Sequence, residues 1–257
     1  MRVGLRALLV GAILWFPVRK WLVYLPPNGN TVRSVDTGRR VVALTIDDGP
    51  DPAYTPQVLD LLLQHGVTAT FFMTGDHIRA NPEVAKSVLE HGHEIGNHGR
   101  DHRVLAFSSR SEIESSIKDC DDAIREVLDR APPRFVRVPQ GKAFFEVARV
   151  VRDQNRVLVS ASALGNDWKK AYQDDPKKIV DKVIRKAKMG GVIALHDGCD
   201  DDDVADDLPD TWRNRGKIVA RRDGTVEALG VILARLQEDQ KMELVTMEEL
   251  VGDNDPE

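Results

Sequence analysis

Cysteine is scarce: Cys120 and Cys199 are the only two in 257 residues. They lie far apart and outside any paired metal-ligand spacing. A disulfide framework is therefore not indicated, and both are expected as free thiols. An excess of one charge is lacking too, since the formal net charge is −5. Nothing in that balance calls for nucleic acid or an anionic polymer as partner. A clean membrane-spanning run is also missing. Ala7 to Val18 is apolar over twelve residues, too few to cross about 30 Å of hydrocarbon but the length of a signal-peptide core. Stretching the run from Leu5 to Leu25 puts Arg19 and Lys20 inside it, so a span requires both to snorkel. No clear small-x-small cleavage site follows. Residues 1–27 are read as a hydrophobic leader, a secretory signal or a membrane anchor through residues 5–25, with a helix lying on the folded domain as the competing reading. The chain is accordingly expected to be membrane-anchored or secreted.

Behind the leader, residues 28–40 have linker composition, and 41–252 show strand and helix signals in alternation. Hydrophobic content of 42% and charged content of 30% suit a soluble globular domain. Strand signals fall at 41–46, 69–73, 93–97, 135–138, 157–161, 191–195 and 242–245. Helices are expected between them: Thr55-Pro56 starts one that Gly66 stops, Asn81-Pro82 starts another, and Ser109 and Ser111 each precede a glutamate by three residues in a capping pattern. Seven strands alternating with helices fit one parallel (β/α) barrel.

The stretch from Val41 to Pro50 organises the rest. It is continuously apolar apart from Thr45, as in a strand covered on both faces, and it runs into Asp47-Asp48-Gly49-Pro50. At the carboxyl end of a parallel strand two carboxylates face the ligand crevice, and adjacent side chains point opposite ways, which permits two different jobs. The same four residues are also ordinary turn chemistry. His98-Gly-Arg-Asp-His102 tips the balance: histidines four apart converge on one metal ion, and one carboxylate completes a three-ligand site with open positions.

Thr-Ile-Asp-Asp-Gly-Pro followed by His-x-x-x-His resembles the polysaccharide deacetylase family, the NodB-homology or carbohydrate esterase 4 group. The resemblance extends over roughly residues 40–250. It implies an incomplete seven-stranded barrel that hydrolyses N-acetyl groups on the amino sugars of a glycan such as chitin or peptidoglycan. It further implies Asp48, His98 and His102 as ligands of a divalent metal, zinc foremost with cobalt or nickel as alternatives, and Asp47 as catalytic base. Arg137 and Pro139 match the family's Arg-x-Pro, which implies that Arg137 pairs with the base and that the backbone after the proline donates to an oxyanion. Gln140 stands where the family has an aromatic. Asp167-Trp168 is similar to an Asp-Trp element in which the aspartate tunes the catalytic acid and the tryptophan walls the sugar site, and His196 matches the acid itself. Gly99 replaces the usual serine or threonine between the histidines.

The remaining histidines read as structural. His65 and His91 each precede a glycine at a helix end, His93 lies on a strand, and His77 has no partner at ligand spacing and is not counted in the site. The acidic run from Asp200 to Asp210 lacks the pattern of a calcium loop and reads as a solvated loop. Two other functions stay open: a catalytically silent glycan-binding barrel, and a hydrolase of a small amide or formyl substrate.

Overall fold

The computed structural model describes residues 31–141, 143, 145–198 and 221–252. The leader, Cys199 and the acidic run lie outside these. In chain order the strands are β1 (Thr31–Val32), β2 (Val41–Asp47), β3 (Thr70–Met73), β4 (Glu94–Asn97), β5 (Phe135–Val136), β6 (Val157–Val159), β7 (Ala163–Leu164), β8 (Val192–His196) and β9 (Glu243–Val245). The helices are α1 (Thr55–His65), α2 (Gly75–Ala80), α3 (Pro82–Glu90), α4 (Arg110–Leu128), α5 (Phe145–Asp153), α6 (Lys170–Gln173), α7 (Pro176–Lys186), α8 (Asp223–Ala234) and α9 (Met247–Val251). All seven strands expected from the sequence are present, and β1 and β7 are additions. Within the stretch read as linker, β1 pairs with β6 and Ser34 bridges to Gly191.

The sheet runs β1-β6-β5-β4-β3-β2-β8-β7, with β9 on β2, and every strand pair is parallel. Ala43 pairs with both Val192 of β8 and Val245 of β9, so β8 takes one edge of β2 while β9 and β3 share the other. The terminal strands β1 and β7 do not pair with each other, which leaves the barrel incomplete.

Side-chain alternation along β2 divides the core. Val42, Leu44 and Ile46 pack outward with Leu59 and Leu62 of α1, Ile179 and Val183 of α7, and Leu229 and Ile232 of α8. Val41 and Ala43 face inward to Phe72, Phe135, Val192 and Val245, where Met247 and Leu250 of α9 close the bottom. Each fully buried side chain of this size contributes about 1.5–3 kcal/mol of transfer free energy. Thr45 and Asp47 continue the inward series, so the same alternation that fills the lower barrel with hydrocarbon delivers a carboxylate to its upper end. Phe72 lies against Gly96 of the next strand. A Cβ on Gly96 would come within 2.4 Å of the ring.

Register makes the strand ends level. Asp47 is opposite Phe72 on one side and His196 on the other, Met73 is opposite Asn97, and Asn97 is opposite Val136. The residues that follow, Asp48, His98 and Arg137, therefore emerge on one rim.

Helix boundaries follow local chemistry. Pro56 sits in the first turn of α1, and Gly66 at φ 62° closes it by donating to Leu62 and Leu63 carbonyls. Ser109 and Glu112 form a reciprocal capping box on α4. The short helix α2 occupies Gly75–Ala80, six residues that are too few to show a helical period in the sequence.

Candidate active site

Asp48 Oδ1 lies 3.2 Å from His98 Nε2 and 3.2 Å from His102 Nε2. His98 Nδ1 is 2.8 Å from the Arg137 carbonyl, and since a carbonyl only accepts, that nitrogen carries the proton. His98 thus presents the lone pair of Nε2 to a carboxylate oxygen. Asp48 Oδ1 is buried and has no hydrogen-bond partner. Acceptors converging at this distance in a buried place leave a gap that a cation fills, and the Asp/His/His donor set fits a divalent metal. Burial opposes charge on Asp48, but His102 and His196 outweigh it and hold the carboxyl well below the usual range.

Two features aim these ligands. Asp48 has a left-handed backbone, φ 78°, uncommon for a residue with a side chain. The turn behind His98 is tied to α4 through Asn97, whose amide donates to the Ile117 carbonyl at 2.9 Å and to Asp121 Oδ1 at 2.8 Å while its oxygen accepts from Gly99 N at 2.8 Å. Arg156 holds Asp121 with two bonds, at 3.0 and 2.7 Å. Gly99 has φ 81°, and a Cβ there would stand 3.0 Å from Ser116 Oγ. The backbone at this position favours glycine over serine or threonine.

Asp47 faces the barrel axis. Arg137 Nη1 donates to Asp47 Oδ1 and to Thr45 Oγ1, each at 2.6 Å, while Thr45 donates to the Ile193 carbonyl. The guanidinium stacks 4.3 Å above the Phe72 ring. Asp47 and Arg137 are both buried, so one geometry is strongly favoured for the pair.

His196 sits across the register from Asp47, and its Nδ1 contacts Asp167 Oδ1 at 2.9 Å. Asp167 is fully buried. Its other oxygen accepts from the His196 backbone at 2.8 Å and from Thr225 at 3.1 Å, and Gln173 braces its carbonyl at 2.6 Å. Burial works against a charged His196, yet Asp167 first and then Asp48 and Asp47 prevail, and the ring is pushed up to about 9. Trp168 stands edge-on to His196 at 5.0 Å. Gln140 is the most exposed of the expected site residues, on the turn Pro139–Gly141 at φ 56°.

The structure thus gathers Asp47, Asp48, His98, His102, Arg137, Asp167, Trp168 and His196 on one rim. Thr45, Asn97, Asp121 and Arg156 escape a sequence reading because their roles depend on contacts between distant segments. Asp197 also escapes a sequence reading: it is buried, accepts from Thr55 Oγ1 at 2.6 Å, and burial pushes it up to about 7. His93 is packed as expected, its Nδ1 accepting from Ala69 N at 3.3 Å.

Comparison with known proteins identifies relatives of the chain. The family model for polysaccharide deacetylase matches residues 34–158. A peptidoglycan-N-acetylglucosamine deacetylase of Bacillus cereus is 36% identical over 230 residues, covering 88% of this chain and 95% of that one. A chitooligosaccharide deacetylase of Sinorhizobium fredii is 33% identical over 208 residues, covering 81% and 91%. In fold, the chain resembles a carbohydrate esterase 4 pseudoenzyme from Bacillus anthracis, with a TM-score of 0.72 at 22% identity over 88% of this chain and 70% of that one. On the strength of the two sequence relatives and the family match, the chain belongs to the polysaccharide deacetylase family.

Proposed function

We propose that this protein is a metal-dependent hydrolase that removes N-acetyl groups from the amino sugars of a glycan such as peptidoglycan or chitin. The observation that carries the reading is the unpartnered Asp48 oxygen facing two histidine nitrogens, beside a second carboxylate and a third histidine at matching strand positions. Asp48, His98 and His102 would hold the ion; zinc suits this set best, and cobalt or nickel would also be accepted. When bound, the ion supplies Lewis acidity to the acetyl oxygen and to water.

The protein's own groups do the rest. Asp47, held in position by Arg137, takes one proton from the attacking water as the water oxygen bonds to the acetyl carbon. His196 keeps its Nδ1 proton on Asp167, and because the ring is pushed up to about 9 it also carries a proton on Nε2, which is given to the amine as the C–N bond breaks. Acetate and a free amine result. The backbone N–H of Gln140 is assigned to the oxyanion, and Trp168 to the sugar wall.

A catalytically silent barrel is the competing reading. Retention of Asp47, all three ligands, Arg137 and His196 favours the hydrolase. We assign catalysis to a domain spanning 41–252 and membrane anchorage or secretion to the leader; among the described residues no helix is long and apolar enough to cross a membrane.

The test is metal analysis and acetate release by the full chain on chitin oligomers, peptidoglycan fragments and acetylated xylan. Asp48→Ala, His98→Ala and His102→Ala are each expected to lose the ion and the activity. Stoichiometric metal in a His98→Ala/His102→Ala double variant would remove the site assignment, and metal-loaded protein inert on every glycan would favour the silent barrel.

A further inference from the structure

Helix α2 touches both halves of the ligand set. Thr74 N donates to the Gly49 carbonyl at 3.1 Å, Gly75 N to the Gly99 carbonyl at 3.0 Å, and Asp76 N to the Arg100 carbonyl at 2.9 Å. One short segment thereby fastens the turn that follows Asp48 and the turn between His98 and His102. Those bonds are main-chain and almost any sequence supplies them. Of the contacts that depend on residue type, Asn81 Nδ2 donates to the Pro50 carbonyl at 3.1 Å, and His77 reaches the ligand itself, its Nδ1 lying 2.7 Å from the main-chain carbonyl of Asp48. The carbonyl only accepts, so Nδ1 is the donor and the ring tautomer is fixed at that atom.

The geometry points to His77 as a positioning residue for the cation site, an inference that rests on the metal-site reading above. Asp48 is left-handed, and a residue with a Cβ keeps that conformation only when its surroundings over-determine it. Its N–H is fixed on the Phe72 carbonyl at 3.2 Å, and its own carbonyl is fixed by His77. With both flanking peptides held, the Cα–Cβ direction is set, and Oδ1 falls 3.2 Å from each histidine nitrogen. Without the ring donor, the peptide after Asp48 is free to rotate toward an ordinary conformation, carrying the carboxylate away from His98 and His102. His77 does not touch the ion. It acts through the backbone of a ligand, as outer-shell partners of metal ligands do.

The experiment measures zinc affinity of the full chain by competition with a chromophoric chelator, together with the visible absorption of the cobalt-loaded protein, for wild type, His77→Ala and His77→Asn. Asparagine can place its amide nitrogen near the position of Nδ1, and alanine has no donor. His77→Ala is expected to weaken zinc by about 10- to 100-fold and to change the cobalt bands, while His77→Asn recovers both toward wild type. The comparison is made where circular dichroism shows each metal-free variant folded, and if His77→Ala does not fold, His77→Gln, with its donor one bond too far, replaces it. Wild-type affinity in the donor-less variant overturns the inference, as does an asparagine variant as weak as alanine. A wild-type protein that binds neither zinc nor cobalt overturns the metal-site reading itself, and this inference with it.

Discussion

His196 and Asp167 are joined twice, once through the ring at 2.9 Å and once through the His196 backbone N–H at 2.8 Å, each to a different carboxylate oxygen. The backbone bond sets where the carboxylate stands and the ring bond sets which nitrogen keeps its proton. Orientation and charge of the imidazole therefore have one source.

Replacing that source separates the two effects. In Asp167→Asn the amide oxygen still accepts a bond, but the negative charge that raises His196 to about 9 is gone while burial continues to lower it. The ring is expected to titrate well below 9 in the metal-free protein, followed by NMR, and activity at pH 8 to fall by about 10²-fold or more. The sign for stability follows from linkage. A histidine whose folded value is raised above its ordinary 6.5 contributes stability fully below about 6.5, and that contribution is lost as pH rises through about 9. Wild type should therefore lose stability across that window more steeply than the variant. An unmoved NMR midpoint would assign the raised value to Asp47 and Asp48 instead.

Asp121 and Arg156 support a different part of the site. The pair is about nine-tenths buried on both sides and carries Asn97, which carries the Gly99 peptide between the ligands. Arg156→Met leaves a carboxylate buried without its cation, a change that typically costs about 3–5 kcal/mol. Urea unfolding should show a loss of that order, and zinc affinity should fall in protein that remains folded. A loss under about 1 kcal/mol would mean that the pair behaves like an exposed one.

What the sequence made legible follows from which interactions are local. Val41–Ile46 and Val192–Leu195 announce themselves because strands buried on both faces are continuously apolar, and the polar residues just beyond them then mark the rim. Asp47 and Asp48 read that way, whereas His98 and His102 read from their four-residue spacing and His196 from its match to the family's acid. His77 does not stand out because its partner is a backbone carbonyl in the turn after β2, and a carbonyl leaves no trace in the side-chain pattern. Asn97, Asp121 and Arg156 read separately as a strand residue, a helix aspartate and a loop arginine, since only tertiary packing makes them a chain. Thr31–Val32 lies in a stretch of linker composition, and two residues are too few to show a strand period. Gly99, by contrast, reads in sequence as a departure from the family, and φ 81° supplies its physical reason.

The two acid–base groups are separable by experiment because they sit on different strands and neither belongs to the proposed ligand set. Asp47→Asn keeps an oxygen for Arg137 but removes the carboxylate assigned to the water, so metal content should stay stoichiometric while turnover falls by about 10²- to 10⁴-fold. His196→Ala should also retain metal and lose activity to a similar extent, for want of a proton at the amine. Their pH profiles should differ. The acidic limb reports protonation of the base and should vanish with Asp47, and the basic limb reports loss of the acid's proton and should vanish with His196. Substrates with a better leaving group than a sugar amine sharpen the contrast, since they need less protonation on departure and should recover activity in His196→Ala but not in Asp47→Asn. Near-normal turnover by metal-loaded Asp47→Asn would move the base to another carboxylate at the rim, with Asp101 and Asp167 the first to examine.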